Sequence, residues 1–233
     1  MESAEPVERA AEAASPTWRE MAVARSLDSA RSRAEKRVQR FIAAAAELIN
    51  SSDRRDFTVQ EVVERSGQSL RSFYQHFDGK HELLLALFEE SVAHTAEYLE
   101  EQVASERTPL ERLHRFVVEY YRICSQPSGR GAKKRKGAPP LIADFAQQLL
   151  TERPQEATRA FAPLVAIFRR LLDDALAAGA VRAGLPGRAT GMMLEVIMFN
   201  AFSSTIAGES GGDETAAAEE LWDLILHGIA SKS

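Results

Sequence analysis

Polar side chains that can hydrogen-bond a nucleic acid are concentrated between positions 58 and 80. In chain order they are Thr58, Gln68, Ser69, Arg71, Ser72, Tyr74, Gln75, His76 and Lys80. An arginine can donate two hydrogen bonds to O6 and N7 of one guanine, whereas hydroxyl, imidazole and ammonium groups suit phosphate oxygens. The set therefore predicts binding of a DNA duplex. We expect base contacts from Arg71 and Ser72, with Gln68 and Gln75 as weaker candidates.

Four of these residues are better suited to the DNA backbone, namely Thr58, Tyr74, His76 and Lys80. Two of the four have a plain structural alternative. Tyr74 can be a core aromatic, and Lys80 can be a solvated charge at the start of a helix. The DNA interpretation rests on the whole set rather than on any one member.

Two short helices and a turn must hold these side chains in place. Thr58 with Glu61 three residues later forms a capping box, and Gly67 can take the left-handed backbone that a turn needs. Ser69 then caps a second helix that runs from Leu70 to about His76. We expect six apolar residues to pack this unit against a preceding helix: Val59, Val62, Val63, Leu70, Phe73 and Phe77. This is the layout of a helix-turn-helix.

The remainder of the chain predicts an all-α fold of about nine helices. The helical patterns run from about 31 to 51, 80 to 103, 109 to 124, 141 to 150, 154 to 180, 188 to 207 and 214 to 231. Leu176 is among the residues expected to face inward. We predict three parts: an extension at residues 1–30 that is disordered or partly helical, a helix-turn-helix domain at 31–78, and a ligand-binding and dimerisation domain at 79–233.

Composition is that of an ordinary globular chain, with 45% hydrophobic and 27% charged residues and a net charge of −5. The apolar runs are too short to span a bilayer, and the acidic N-terminus does not match a secretory signal, so we expect a cytoplasmic protein without membrane contact. The single Cys124 excludes an internal disulfide and any multi-cysteine metal site. We expect it to be a small, semi-buried side chain, and we expect no cofactor.

The stretch from Val38 to about Glu90 resembles the N-terminal domain of the tetracycline-repressor (TetR) family of bacterial transcription regulators. The resemblance rests on Phe57-Thr58, on the spacing to Gly67 and Ser69, and on Phe73-Tyr74-x-His76-Phe77-x-x-Lys80-x-x-Leu83. It implies a homodimeric, all-helical regulator, usually a repressor that a small molecule releases from its operator. It also implies backbone contacts for Thr58, Tyr74, His76 and Lys80, and base contacts for Arg71 and Ser72. Gln68 departs from the family pattern, in which this position is often apolar.

A basic segment precedes the first predicted helix. Between Ser15 and Arg40 there are seven Lys and Arg against three acidic residues, a local balance of +4. Arg31 and Arg33 lie where basic arms of helix-turn-helix proteins enter a minor groove. The alternative is a solvated charged face, or an added helix packed on the head.

The C-terminal helices predict a dimer surface and a ligand cavity. Their apolar surface exceeds what one small core needs, so part of it should meet a second subunit. Candidate interface residues are Met192, Val196, Phe199, Leu221, Trp222 and Ile225. Candidate lining residues are Phe88, His114, Tyr120, Tyr121, Phe145, Phe161, Phe168, Met193 and Asn200. Most of the aromatic ones have core packing as their alternative. The mostly apolar set predicts a hydrophobic or amphipathic effector.

A basic cluster lies in the predicted loop from Gln126 to Pro140. Its members are Arg130, Lys133, Lys134, Arg135 and Lys136. The cluster can help to capture an anionic ligand such as an acyl-CoA, or it can be a solvated loop.

An enzyme is not predicted. Gly208 to Gly212 fits G-x-S-x-G literally, but that motif needs a preceding strand in an α/β sheet, and the histidines lack metal-ligand spacing. A ligand-independent DNA-binding dimer, or one controlled by a protein partner, remains the alternative to a ligand-responsive repressor.

Overall fold

The computed structural model describes residues 17–51, 56–125, 140–203 and 213–229, and these ranges form nine α-helices. The helices are α1 (Trp18–Ser51), α2 (Val59–Ser66), α3 (Leu70–Tyr74), α4 (Lys80–Ala104), α5 (Pro109–Cys124), α6 (Pro140–Glu152), α7 (Pro154–Ala177), α8 (Ala189–Ser203) and α9 (Glu214–Ile229). The predicted all-α class is confirmed. In the described ranges, no helix is both long and apolar enough to cross a membrane.

Local sequence chemistry sets the boundaries of the helix-turn-helix. The Thr58 hydroxyl accepts a hydrogen bond from the Glu61 backbone N–H, and the Glu61 carboxylate accepts one from the Thr58 N–H, as the capping box requires. Gly67 ends α2 with φ +65°, a left-handed conformation that side chains other than glycine rarely adopt. The Ser69 side chain then caps α3 by accepting from the Ser72 N–H.

Helix α1 is longer than predicted. It begins at Trp18 rather than near Arg31 and runs for 34 residues. The added turns contain no glycine or proline, and Arg31 and Glu35 form an i,i+4 ion pair of 2.8 Å. They bury almost nothing, so the hydrophobic spacing used to place the start of the helix contains no signal for them.

An aromatic cluster forms the core of the head. The ring of Phe41 on α1 lies edge-on to Phe73 at 5.4 Å and to Phe77 at 6.1 Å, and all three side chains are buried. Val62 and Val63 are buried beside them, and Val59 is partly buried against the same core.

Two predicted core residues are exposed. Leu70 is 43% exposed, because a helical side chain leans towards the N-terminus and the first residue of α3 therefore leans past the edge of the head core. Leu176 is 42% exposed in the last turn of α7, where Leu172 and Ala175 occupy the inward positions.

The body is built around α5, which packs against α4, α7, α8 and α9. Its capping box at Thr108 and Glu111 and the proline at its first turn fix the start of the helix. Along it, Leu113, Phe116 and Val117 are fully buried, and the Phe116 ring lies 5.0 Å from Phe168 on α7. Helix α4 links this body to the head, since it packs on α1 at one end and on α5 and α7 along its length.

Candidate DNA-binding surface and ligand cavity

The outer face of α3 is polar and exposed. Arg71, Tyr74 and Gln75 are exposed there, with Tyr74 at 56%, while the opposite side of the helix is fixed by the buried Phe73. The Tyr74 ring lies perpendicular to the Phe73 ring, with 5.3 Å between the ring centroids, so the exposed phenol is supported by the core. The exposed Leu70 adds an apolar patch to this face. The guanidinium of Arg71, the phenol of Tyr74 and the amide of Gln75 can donate hydrogen bonds both to base edges and to phosphates.

Three further predicted contacts flank that face. Thr58 and Ser69 are exposed at the N-termini of α2 and α3, although the oxygen of each side chain already caps its own helix. Gln68 is half-buried in the turn, and its amide donates to the Gly67 carbonyl at 3.4 Å. It fills the turn position that is often apolar in the resembled family.

Two predicted DNA contacts face inward. The Ser72 Oγ and the His76 Nε2 are buried and have no hydrogen-bond partner among the described residues. A buried atom cannot contact a duplex docked on the surface, so the head in this conformation does not offer Ser72 for base contact or His76 Nε2 for phosphate contact. Ser72 lies within α3 and His76 follows its last residue by two positions, and both residues are half-buried as a whole.

Lys80 already has an acidic partner. Its ammonium forms an ion pair with the carboxylate of Asp56 and lies over the Phe57 ring, 4.8 Å from the centroid. Burial lowers the pKa of this lysine from its ordinary value. Lys80 therefore closes the gap between the starts of α2 and α4, and must exchange Asp56 for a phosphate in order to bind DNA.

Arg31 and Arg33 do not form an extended arm. Both lie within α1, and Arg31 is paired with Glu35. A helix is ~10–12 Å across with its side chains, whereas the minor groove of B-DNA is ~6 Å wide. Insertion of these residues into a minor groove, one of the two predicted alternatives, does not fit the helical conformation.

A cavity of about 510 Å³ opens between α5, α6, α7 and α8. Its size falls within the range of ligand sites, about 300–1,000 Å³. Its walls are mainly apolar, with Thr158, Arg169 and Glu195 as polar members beside Tyr120. The full lining is Tyr120, Leu150, Pro154, Ala157, Thr158, Phe161, Ala162, Val165, Ala166, Arg169, Gly191, Leu194, Glu195 and Met198.

Of the nine predicted lining residues, Tyr120 and Phe161 line this cavity. Phe88 and Phe145 lie just behind it, because Phe88 contacts Phe161 at 5.3 Å and Phe145 at 6.0 Å between ring centroids. Tyr121 and Phe168 are core residues, Met193 is partly buried, and Asn200 is exposed on α8.

His114 has a different role from the one predicted. Its Nε2 lies 2.7 Å from a Glu219 carboxylate oxygen and its ring lies 5.1 Å from that of Trp222, so it ties α5 to α9.

Small residues create the cavity, and a pattern of large aromatic side chains in the sequence does not indicate them. Ala157, Ala162, Ala166 and Gly191 leave the space, and a Cβ built on Gly191 meets no atom within 4 Å. On α7, Thr158, Ala162, Val165 and Arg169 recur at spacings of three to four residues, which places them on one face. That second stripe, small and ending in a cation, is the sequence signal that could have located the site.

The predicted dimer residues divide into two groups. Met192, Val196 and Phe199 are 48%, 46% and 40% exposed at i, i+4 and i+7 on α8, and Leu224 on α9 is 70% exposed. Leu221, Trp222 and Ile225 are instead at most 8% exposed, because α9 turns them into the core against α5. They leave little surface for a second subunit, which corrects their assignment to the interface.

The cluster Arg130, Lys133, Lys134, Arg135 and Lys136 lies outside the described residues, as does the G-x-S-x-G segment at 208–212. Across the ranges that are described, no group of three or more His, Cys, Asp or Glu is arranged to hold a metal ion. Cys124 is buried, and burial raises the pKa of its thiol to about 12.

Together, α2, the Gly67 turn and α3 form a helix-turn-helix unit, which is joined through α4 to an all-helical body. Residues 41–87 match the family described as bacterial regulatory proteins, tetR family. This match covers α2, α3 and the adjoining parts of α1 and α4.

Relatives and solved structures are similar over most of the chain. The fatty acid metabolism regulator protein of Bacillus subtilis is 19% identical over 193 residues, which cover 82% of this chain and 95% of that protein. The crystal structure of the regulator FadR from Bacillus subtilis with stearoyl-CoA superposes with a TM-score of 0.62 at 19% identity, covering 82% of this chain and 98% of that one. A TetR-family regulator from Pectobacterium atrosepticum gives a TM-score of 0.66 at 19% identity, with coverage of 87% and 98%.

Proposed function

We propose that the chain is a cytoplasmic homodimeric repressor that holds a DNA operator through α2 and α3 and releases it when an amphipathic ligand enters the cavity. The observation that carries the proposal is the exposed Arg71, Tyr74 and Gln75 face on a helix whose other side is fixed by Phe73. A rigid polar face of this kind reads a duplex without having to order itself first.

The cavity supports an effector with an apolar tail and an anionic end. Its walls are mostly alkyl and aromatic groups that favour a hydrocarbon chain. Arg169 is exposed at the cavity and has no ion-pair partner within the described residues, so its guanidinium is available to a carboxylate or phosphate. The similar fold of a regulator crystallised with stearoyl-CoA makes a long-chain acyl compound the first probe.

The exposed stripe of Met192, Val196 and Phe199 supports the homodimer. Three apolar side chains in successive turns on one helix face form a surface that a second copy of α8 can cover in an isologous contact. Two recognition helices then address half-sites one or more turns of DNA apart.

DNA binding is tested by fluorescence-anisotropy titration at two salt concentrations. The probes are DNA fragments from the region upstream of the gene that encodes this protein, with a scrambled sequence as control. We expect saturable binding to one fragment, and Arg71→Ala should relax the preference by about 1–3 kcal/mol per contacted base pair. Equal, strongly salt-dependent binding to every fragment would contradict sequence-specific recognition.

Ligand control is tested by thermal shift with palmitate, hexadecanol and stearoyl-CoA. A ligand that binds the native state raises Tm in proportion to its occupancy. We expect Arg169→Gln to weaken the shift by the anionic compounds and to leave that of the neutral alcohol unchanged. Arg159→Gln on the same helix, away from the cavity, is the matched control. If none of the probes shifts Tm or releases DNA, acyl-type control is wrong and a protein partner becomes the next hypothesis.

A further inference from the structure

The long helix α1 carries a continuous basic face. Arg33, Lys36, Arg37 and Arg40 are spaced i, i+3, i+4 and i+7, which places them side by side. Arg19 lies fourteen residues before Arg33 and therefore points in nearly the same direction. We call these five residues the basic face; all five are exposed. The acidic residues Asp28 and Glu35 lie on other sides of the helix.

The cations of this face have no ion-pair partner among the described residues. The neighbouring Arg31, by contrast, is paired with Glu35. Five such cations on one side of a helix repel one another, and an anionic partner of matching length removes that cost.

The C-terminal end of the basic face lies close along α1 to the residue that packs against α3. Arg37 lies one helical turn before Phe41, whose ring contacts Phe73 of α3 at 5.4 Å. Tyr74, next to Phe73, belongs to the exposed face of α3. From this junction the helix extends to Arg19, about 30 Å from Arg40, which is the length of roughly nine base pairs of duplex.

The N-terminal half of α1 stands clear of the rest of the protomer. From Trp18 to Arg33 the described side chains are exposed except for Ala22, which is half-buried, and Leu27 is 64% exposed on the side that becomes the core stripe further along. A helix segment with so little buried surface can lie along a partner without disturbing the packing of its own protomer.

We propose that the basic face binds the phosphates of the duplex that flanks each half-site, outside the base pairs read by α3. The contact is with the sugar-phosphate backbone, because the helix is too wide for the minor groove. It adds affinity and salt dependence without sequence preference. This inference rests on the proposed DNA-binding function and extends its footprint.

The test compares the wild-type full-length chain with the triple variant Arg33→Gln, Lys36→Gln, Arg37→Gln. Glutamine keeps a helix propensity close to that of lysine and arginine, so α1 should persist, and circular dichroism checks this. The charge-matched control is Arg107→Gln, Arg159→Gln, Arg188→Gln, three exposed cations of the body. Each protein is titrated over a salt series on the preferred fragment with about ten flanking base pairs per side, and on the same fragment trimmed of its flanks.

On the flanked duplex, we expect the slope of log K against log salt to fall by about 0.9 for each phosphate that the variant no longer neutralises. Trimming the flanks should lower the slope of the wild-type protein by a similar amount and should leave that of the triple variant unchanged. The charge-matched control should behave as wild type on both duplexes. An unchanged slope for the triple variant on flanked duplex, with sequence preference retained, would overturn the inference alone. A changed oligomeric state with an unchanged slope would also overturn it, in favour of a second copy. A wild type that prefers no fragment would instead refute the proposed function.

Discussion

The Nε2 of His81 and a carboxylate oxygen of Glu156 lie 2.8 Å apart and join the first turn of α4 to the first turn of α7. His81 follows Lys80, which is paired with Asp56 in the head, and Glu156 lies between Pro154 and Ala157, two residues that line the cavity. The hydrogen bond from His81 holds the pKa of the Glu156 carboxyl below its usual value. The pair thus stands between the proposed ligand site and the start of the helix that carries the head.

We predict that His81→Phe uncouples ligand binding from DNA release. Phenylalanine keeps a ring against Phe145, which lies 5.4 Å away, but removes the bond to Glu156. Coupling between sites is typically about 1–3 kcal/mol. In wild type, stearoyl-CoA should lower the affinity for DNA. In His81→Phe we expect that ligand-induced decrease to be several-fold smaller, while the affinity for DNA without ligand stays unchanged.

The control for that experiment is Glu100→Gln. It breaks the exposed ion pair between Glu100 of α4 and Arg170 of α7, which are 2.6 Å apart and lie farther along both helices from the head. An equal loss of coupling in both variants, or none in His81→Phe, would show that the His81–Glu156 bond transmits nothing specific.

Ser72→Ala should stabilise the protein and leave DNA binding intact. The Ser72 hydroxyl is buried without a partner among the described residues, and an unsatisfied buried polar group costs about 1–3 kcal/mol. Urea unfolding measures the gain, and anisotropy on the operator measures the affinity. Arg71→Ala in the same assays should give no gain in stability and should weaken binding to the operator. A loss of specificity in Ser72→Ala would return this residue to the base-reading surface.

Gly191→Leu should close the cavity and produce a repressor that no longer responds to ligand. A Cβ at Gly191 meets open space, and replacing a helical glycine also favours the folded state by up to about 1 kcal/mol. We expect no Tm shift with stearoyl-CoA and normal operator affinity. Gly228→Leu, also on a helix and also facing open space, should respond as wild type. If stearoyl-CoA still raises the Tm of Gly191→Leu, the ligand binds elsewhere.

Val196→Asp should dissociate the proposed dimer. Val196 is the middle residue of the exposed stripe on α8, and a carboxylate buried in an apolar contact loses its hydration without gaining a partner. Light scattering after gel filtration should show a monomer, and operator affinity should fall because two half-sites are no longer held together. Leu176→Asp, an exposed apolar position on α7, serves as the control and should remain dimeric.

Cys124 should be unreactive in the folded protein. Burial keeps its thiol protonated, with a pKa of about 12 against an ordinary 9.0. Iodoacetamide at pH ~8 should label it in urea and not in buffer, as mass spectrometry can show. Since the folded pKa is the higher one, the linked stability is fully present below pH ~9 and declines as pH rises towards ~12, a decline that Cys124→Ala removes. Rapid native labelling would mean that α5 opens locally.

Local chemistry made the head predictable. Thr58, Gly67 and Ser69 each act on backbone groups within a few residues of themselves, so their sequence context determines what they do. The exposure of Leu70 is not predictable in this way. Residue spacing indicates which face of α3 is apolar, but the edge of the core depends on α1, whose Phe41 contacts Phe73.

The body was less predictable because its features depend on several helices together. The cavity arises where Ala166 of α7 and Gly191 of α8 fail to fill the same space, and neither residue shows this alone. In the same way, Trp222 and Leu224 are both apolar residues of α9. Their different exposure follows from which side of that helix meets α5.

The Asp56–Lys80 pair has a consequence for how the head discriminates among DNA molecules. Asp56 occupies the ammonium as a phosphate would, so the head carries its own competitor for nucleic acid. When a DNA phosphate displaces Asp56 from Lys80, a counterion is released from the DNA. The freed Asp56 carboxylate attracts a counterion in return, so little entropy is gained from counterion release. If the head binds DNA as proposed, Lys80 therefore adds little affinity for a random duplex, and the preference for an operator depends on the contacts of α3.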